Sequence, residues 1–239
     1  MSEGVGAVAS ATNTAVDMGR GARVTYRILR LLLTAVSKVW FRVTVTGIEH
    51  VPSCGGYILA PGAHRSILDT PIAALASPRV LRFMGAENYF AIPGLGFFLR
   101  SMGGFPVERA MTDRAALRVA EVLLASGEPL VVFPEGTRQD GPTIGEMKEG
   151  ASFLACRTGV PVVPVGIGGA ARAMPKGARF PRPRRIAVVV GAPIHPPARG
   201  DGPGGGRLKR SAIRGLTDEL RANLQVLFDE AQRRADVSP

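Results

Sequence analysis

The stretch YILAPGAHRSILDTP (57–71) passes from an apolar run through a short loop into the start of a helix. Tyr57 to Gly62 is nearly continuous in apolar residues, the mark of a strand buried on both faces. Ser66 stands three residues before Asp69, the spacing of a capping box, and Pro71 is tolerated only near a helix start. A strand feeding directly into a helix is the repeating unit of a parallel α/β sheet. His64 sits at the mouth of that strand, where such folds gather their sites. The chain has only three histidines, so its position needs a reason.

The same unit recurs on either side. Strands are predicted at 42–47 (RVTVTG), 57–62 (YILAPG), 80–85 (VLRFMG), 103–108 (GGFPVE), 130–136 (LVVFPEG), 160–168 (VPVVPVGIG) and 185–191 (RIAVVVG), with helices at 69–77, 112–126 and 146–158. The fold class that follows is α/β, a mostly parallel sheet of about seven strands flanked by helices and preceded by an N-terminal membrane-associating helix. The small, polar residues 1–22 read as a flexible N-terminus. Residues 42–198 form the main α/β domain, and RGDGPGGGR (199–207) is a Gly/Pro linker by composition. Residues 208–239 supply a C-terminal helix packed on the domain, with Ile213, Leu216, Leu220, Leu224, Leu227 and Ala231 on one face.

The N-terminal helix, residues 23–41, places Val24, Ile28, Leu31, Leu32, Ala35, Val39 and Val43 at helical spacing, studded by Arg23, Arg27, Arg30, Lys38 and Arg42. A basic amphipathic helix ending in Trp40 and Phe41 fits one lying in the plane of a membrane interface; a surface helix packed on the core fits the same spacing. No run of about 18 apolar residues is present, so no spanning helix is expected, and the first residues lack the pattern of a secretory signal.

The chain is 239 residues long, 46% hydrophobic and 21% charged, with a formal net charge of +11. That charge favours anionic partners: an acidic membrane surface, phosphorylated substrates or nucleic acid. One Trp and three Tyr leave no stacking platform of bases interleaved with aromatics, which argues against nucleic acid. Cys54 and Cys156 form no metal or redox motif and are expected to be buried, reduced thiols.

Three constellations carry chemistry. His64 and Asp69 are five residues apart, about 140° around a regular helix, so they meet only if His64 lies in the loop or first turn and Asp69 on the helix. A carboxylate on one imidazole nitrogen fixes the tautomer and frees the other nitrogen to accept a proton. A helix cap for Asp69 and a backbone-bonded loop histidine fit as well. The second is VVFPEGTRQDG (131–141), where a strand breaks at Pro134 and a tight turn presents Glu135, Gly136 and Arg138, the last a planar fork suited to phosphate. The third, GGFPVER (103–109), ends a strand in Arg109.

HRSILD (64–69), GGFPVER (103–109), FPEGTR (133–138) and VPVVPV (160–165) stand in order, and together they resemble the four sequence blocks of the glycerolipid acyltransferases, of the 1-acylglycerol-3-phosphate acyltransferase type. The resemblance spans residues 45–195, and MKEGASFLA (147–155) resembles the segment joining the last two blocks. It implies that His64 is the general base activating an acceptor hydroxyl and that Asp69 orients it. Arg109, Glu135, Gly136 and Arg138 would form the acceptor site, with the arginines on a phosphate. The expected reaction moves a fatty acyl group from a thioester donor, acyl-CoA or acyl carrier protein, to a lysophospholipid, with neither metal nor bound cofactor. Glycerol-3-phosphate or another polar-lipid hydroxyl is the alternative acceptor. A peripheral protein that only binds anionic membranes is the non-enzymatic alternative. The expected location is the cytoplasmic face of a membrane, peripheral or monotopic.

The chain departs from the family pattern where Ala63 replaces the usual asparagine before the histidine, and where Ala86 and Asn88 stand in place of a lysine and a glutamate. FAIPGLGFFL (90–99) reads either as the lining of an acyl slot or as core. A basic cluster, Arg172, Lys176, Arg179, Arg182, Arg184 and Arg185, contains no acid and reads either as a solvated face or as a docking surface for anions.

Overall fold

A computed structural model describes residues 20–107, 113–198 and 208–236. The N-terminal tail before Arg20, Arg109 and the linker at 199–207 lie outside the described residues.

Seven strands form one sheet: β1 (Thr44–Thr46), β2 (Ile58–Gly62), β3 (Arg82–Ala86), β4 (Gly104–Val107), β5 (Leu130–Val131), β6 (Val162–Gly168) and β7 (Ala187–Val190), in the order β1-β7-β6-β2-β5-β3-β4. Every pairing is parallel except β6 with β7, which is antiparallel. The predicted sheet is therefore present, with two strands at one side running against the other five.

Eight helices surround it among the described residues: α1 (Arg20–Trp40), α2 (Asp69–Ala73), α3 (Glu87–Phe90), α4 (Leu95–Ser101), α5 (Asp113–Ala125), α6 (Gly150–Thr158), α7 (Ala170–Ala173) and α8 (Arg210–Asp236). Period-two alternation divides the strands between two cores. Ile58 and Ala60 of β2 join Leu123, Leu154 and Leu220 on the face of α5, α6 and α8. Tyr57 and Leu59 join Ile72, Val163, Val165 and Ile167 on the other face.

Strand β6 shows the alternation most plainly. Val163, Val165 and Ile167 point away from α8, while Gly166 and Gly168 face it. A Cβ at Gly166 would lie 2.3 Å from the Leu227 carbonyl, and one at Gly168 would lie 2.2 Å from Ala231 backbone. The missing side chains let the helix backbone rest directly on the sheet. Gly168→Ala is expected to destabilise the protein by at least about 1–3 kcal/mol, because backbone cannot yield as a side chain can. A denaturant midpoint unchanged from wild type would contradict this packing.

Several boundaries differ from expectation. Strand β5 stops at Val131 rather than 136; Val132 still donates to the Leu59 carbonyl, and then Pro134, with no N–H, takes the chain off the sheet. Helix α1 begins at Arg20, inside the stretch read as flexible, and ends at Trp40. Arg42 (φ 46°) turns the chain, and Val43 drops into the core instead of continuing the helical stripe. Phe228 of α8 is buried in addition to the expected face, on which Leu227 is half-buried. Cys156 is buried as predicted, but Cys54 is exposed, in a Ser/Gly loop that offers nothing to pack against. No helix among the described residues is long and apolar enough to cross a membrane.

Candidate active site

The carboxyl ends of β6, β2 and β5, three adjacent strands, deliver the loops that matter. At the centre β2 ends in Gly62, and Ala63 takes a left-handed conformation (φ 56°) that turns His64 out of the sheet. Non-glycine residues adopt this region at a cost, and asparagine tolerates it better than alanine. The family asparagine missing here therefore sits at a position whose backbone favours it.

His64 is held at four points. Its Nδ1 lies 3.1 Å from Asp69 Oδ2, its N–H donates to Glu135 Oε1 at 3.1 Å, its carbonyl accepts from Gln139 N–H, and its ring lies 4.4 Å from that of Phe133. The side chain keeps 17% exposure, whereas that of Asp69 has 1%. With Nδ1 on a carboxylate, Nε2 remains for a proton from solvent or substrate.

Asp69 Oδ2 also accepts the N–H groups of Arg65 and Ser66, each at 2.7 Å. It is thus both the partner of the imidazole and the acceptor that ties down the 65–66 turn ahead of α2, whose own N-cap is Leu68. Ser66 Oγ accepts from Leu68 N–H and donates to the Met174 carbonyl. One oxygen thus serves the imidazole and the turn that leads into α2.

Glu135, drawn from sequence into the acceptor site, is buried and engaged within the protein. Beside His64 N–H it meets Arg65 Nη1 at 3.1 Å and Gly145 N–H at 3.2 Å. Arg65 in turn donates to the carbonyls of Gly141 and Thr143 and lies 5.8 Å over the Phe228 ring. Gly136 (φ 69°) and Arg138 are exposed on the following turn. The exposed Lys148 crosses Gly136, whose Cβ, if present, would lie 2.9 Å from Lys148 Cε. Arg109 lies outside the described residues.

Sequence reasoning missed several contributors. Arg65 lay inside a quoted block but was not singled out, and Lys148 lay in the segment after the third block. Gln225 and Arg221 gave no signal at all. From α8, Gln225 accepts Ile144 N–H at 2.8 Å, and Arg221 donates to the Gly145 carbonyl at 2.8 Å. The loop whose Gly145 N–H bonds Glu135 is therefore gripped from the far end of the chain.

A second region is apolar and open. In FAIPGLGFFL only Phe90 is fully core, while Phe97 is 65% exposed and Ile92 48%. With Thr25 and Arg100 they line a cleft of about 540 Å³ between α1 and the α3–α4 segment.

Comparisons with known proteins place this geometry. A 1-acyl-sn-glycerol-3-phosphate acyltransferase of Arabidopsis thaliana, a chloroplastic protein, is 30% identical over 67% of this chain and 48% of its own. The 1-acyl-sn-glycerol-3-phosphate acyltransferase of Bacillus subtilis is 26% identical over 64% of this chain and 74% of its own. The chain spans about half the length of the plant relatives it matches. The crystal structure of the 1-acyl-sn-glycerophosphate acyltransferase PlsC from Thermotoga maritima shares the fold, with a TM-score of 0.69 at 24% identity, covering 98% of this chain and 90% of that one. The profile of the Acyltransferase family matches residues 42–168, over half of the sequence, with the loops that follow β2 and β5: the chain belongs to the Acyltransferase family.

Proposed function

We propose that the protein is an O-acyltransferase that moves a fatty acyl group from a thioester to the hydroxyl of a lysophospholipid, with 1-acylglycerol-3-phosphate as acceptor and phosphatidic acid as product. The observation that carries this reading is the His64–Asp69 pair, 3.1 Å apart, with the imidazole partly exposed at the sheet mouth. Nε2 takes the acceptor hydroxyl proton as that oxygen attacks the thioester carbonyl carbon. The carbonyl electrons move onto oxygen, return, and expel the thiolate, which takes the proton back from Nε2. Asp69 keeps the tautomer and steadies the transient imidazolium without itself accepting the proton.

Arg138 and Arg109 take the acceptor phosphate, as the family resemblance implies. Lys148, lying across Gly136, adds a cation at the same mouth and offsets the lysine missing near Ala86 and Asn88. Glu135 acts from beneath as a positioning residue. The outer face of α1 meets lipid: Val24, Leu31, Leu32 and Val39 are 55–80% exposed while Tyr26 and Ser37 hold the opposite face to the domain. An apolar stripe left outward on a basic helix suits peripheral attachment at a cytoplasmic membrane face.

An acceptor panel tests the reading. With one acyl thioester donor, 1-acylglycerol-3-phosphate is expected to turn over at least about tenfold faster than an uncharged lysolipid, given two or three charge-assisted contacts to phosphate. Equal or faster turnover of uncharged acceptors would remove the phosphate role of Arg138 and Arg109. Preference for glycerol-3-phosphate would move the assignment to that acceptor, and no thioester consumption with any of them would leave a membrane-binding protein without the chemistry.

A further inference from the structure

The loop after α7, residues 174–185, is tied to both functional regions. At its start Met174 accepts a hydrogen bond from Ser66 Oγ, two residues from His64. Near its far end the Pro181 carbonyl accepts from Trp40 Nε1 at 3.3 Å, at the last residue of α1. Arg182 N–H closes onto the Ala173 carbonyl at 2.7 Å, and Pro175, Pro181 and Pro183 stiffen the path. The loop is therefore a fixed bridge from the histidine to the helix.

Its chemistry is uneven in a telling way. Arg172, just before it, is paired with Asp236, and Arg185 is half-buried. Lys176, Arg179, Arg182 and Arg184 are exposed, with no acid anywhere between 170 and 186. Between Arg179 and Arg182 stands Phe180, 81% exposed, the highest value among large hydrophobic side chains of the described residues. A single exposed apolar residue is ordinary. This one stands between Arg179 and Arg182 in sequence, and its neighbour Pro181 is bonded to Trp40 (48% exposed), which follows Val39 (80%) where the outer stripe of α1 ends.

We infer that the 174–185 loop is a second docking surface, for an anionic lipid bilayer, in which Phe180 enters the headgroup–acyl boundary while Arg179, Arg182 and Arg184 bind lipid phosphates. This rests on the reading of α1 as the lipid-facing helix and adds to it a preference for negative charge. The occupant is lipid rather than an acidic protein because acidic side chains would match the arginines but leave the Phe180–Trp40–Val39 strip in water. A bilayer satisfies both, since its anionic heads lie directly above its apolar tails. The Ser66–Met174 link then fixes the height of the His64 mouth over the surface from which a lysolipid arrives.

Trp40 is the only tryptophan of the chain, so its emission and its quenching by brominated acyl chains report this joint. The full chain would be titrated with phosphatidylcholine vesicles, and with vesicles also containing phosphatidylglycerol. The variants are Arg179→Gln/Arg182→Gln/Arg184→Gln and Phe180→Ser, none of them in the reaction machinery, each checked by thermal melting and by turnover of a soluble short-chain acceptor. The triple variant is expected to lose about 100-fold in partitioning to the anionic vesicles, together with most of the salt dependence, at roughly fivefold per arginine. Its binding to neutral vesicles should stay at wild type. Phe180→Ser should lose about tenfold on anionic vesicles and show weaker Trp40 quenching. Wild-type partitioning and salt response in the triple variant would overturn the inference, as would a loss confined to binding of an acidic acyl carrier protein. Wild-type chain that binds anionic but not neutral vesicles would count against the α1 reading and leave the loop assignment standing.

Discussion

Replacing His64 with alanine is expected to cut acyl transfer by about 10²–10⁴-fold while the protein stays folded. The size follows from removing the group that the proposed mechanism uses to take the hydroxyl proton. The folding half follows from what the side chain leaves behind. Asp69 Oδ2 keeps its two bonds from the N–H groups of Arg65 and Ser66, so no carboxylate oxygen that had a partner is stranded. The His64 N–H bond to Glu135 and its carbonyl bond from Gln139 belong to the backbone and survive the change. Steady-state turnover with thioester donor and a thermal melt on the same sample make the test. Turnover within a few-fold of wild type would exclude His64 as the base, and an unfolded variant would show that the ring's contact with Phe133 holds the fold. Asp69→Ala is a poorer probe, since it strands the N–H groups of Arg65 and Ser66 together with removing the imidazole partner.

Glu135→Ala should be the most destabilising of the site substitutions, costing about 3–5 kcal/mol. The carboxylate and the Arg65 guanidinium are a buried pair, with side chains 1% and 7% exposed. Removing the acid strands a buried cation and leaves the Gly145 N–H without its acceptor. Activity should fall as well, because Glu135 Oε1 holds the His64 backbone. Glu135→Gln keeps an acceptor oxygen and should fall between wild type and alanine in urea midpoint. If Glu135→Ala melts like wild type and only weakens acceptor binding, the carboxylate belongs to the acceptor site after all, as the family resemblance implied.

The architecture was legible because β2 and its neighbours carry continuous apolar runs broken by turn residues, and because the helices between them keep their own period. Spacing alone left the His64–Asp69 pairing open, requiring only that His64 lie off the helix that carries Asp69; the family resemblance supplied the reason to pair them. What could not be read was anything set by long-range contact. The role of Glu135 depends on Arg65 and Gly145, which come from different segments. Lys148 reaches the mouth only because the chain folds back over Gly136. Strand β5 is two residues long because a proline forbids the ladder from continuing, although the apolar pattern runs on. Cys54 is exposed because a Ser/Gly loop provides no cover, a fact its residue type does not reveal. Ala63 was visible as a departure, but the reason asparagine belongs there appears only in its positive φ.

The grip of α8 on the 142–145 loop bears on which segments the site depends on. The segment that the family shares, residues 42–168, stops well before Arg221 and Gln225. It also lacks β7, the neighbour of β6 in the sheet, and the helix that rests on Gly166 and Gly168. Kinship in sequence and self-sufficiency in structure are thus drawn on different borders. A chimaera that exchanged the C-terminal helix between relatives would change the footing of the histidine while leaving every recognisable motif untouched.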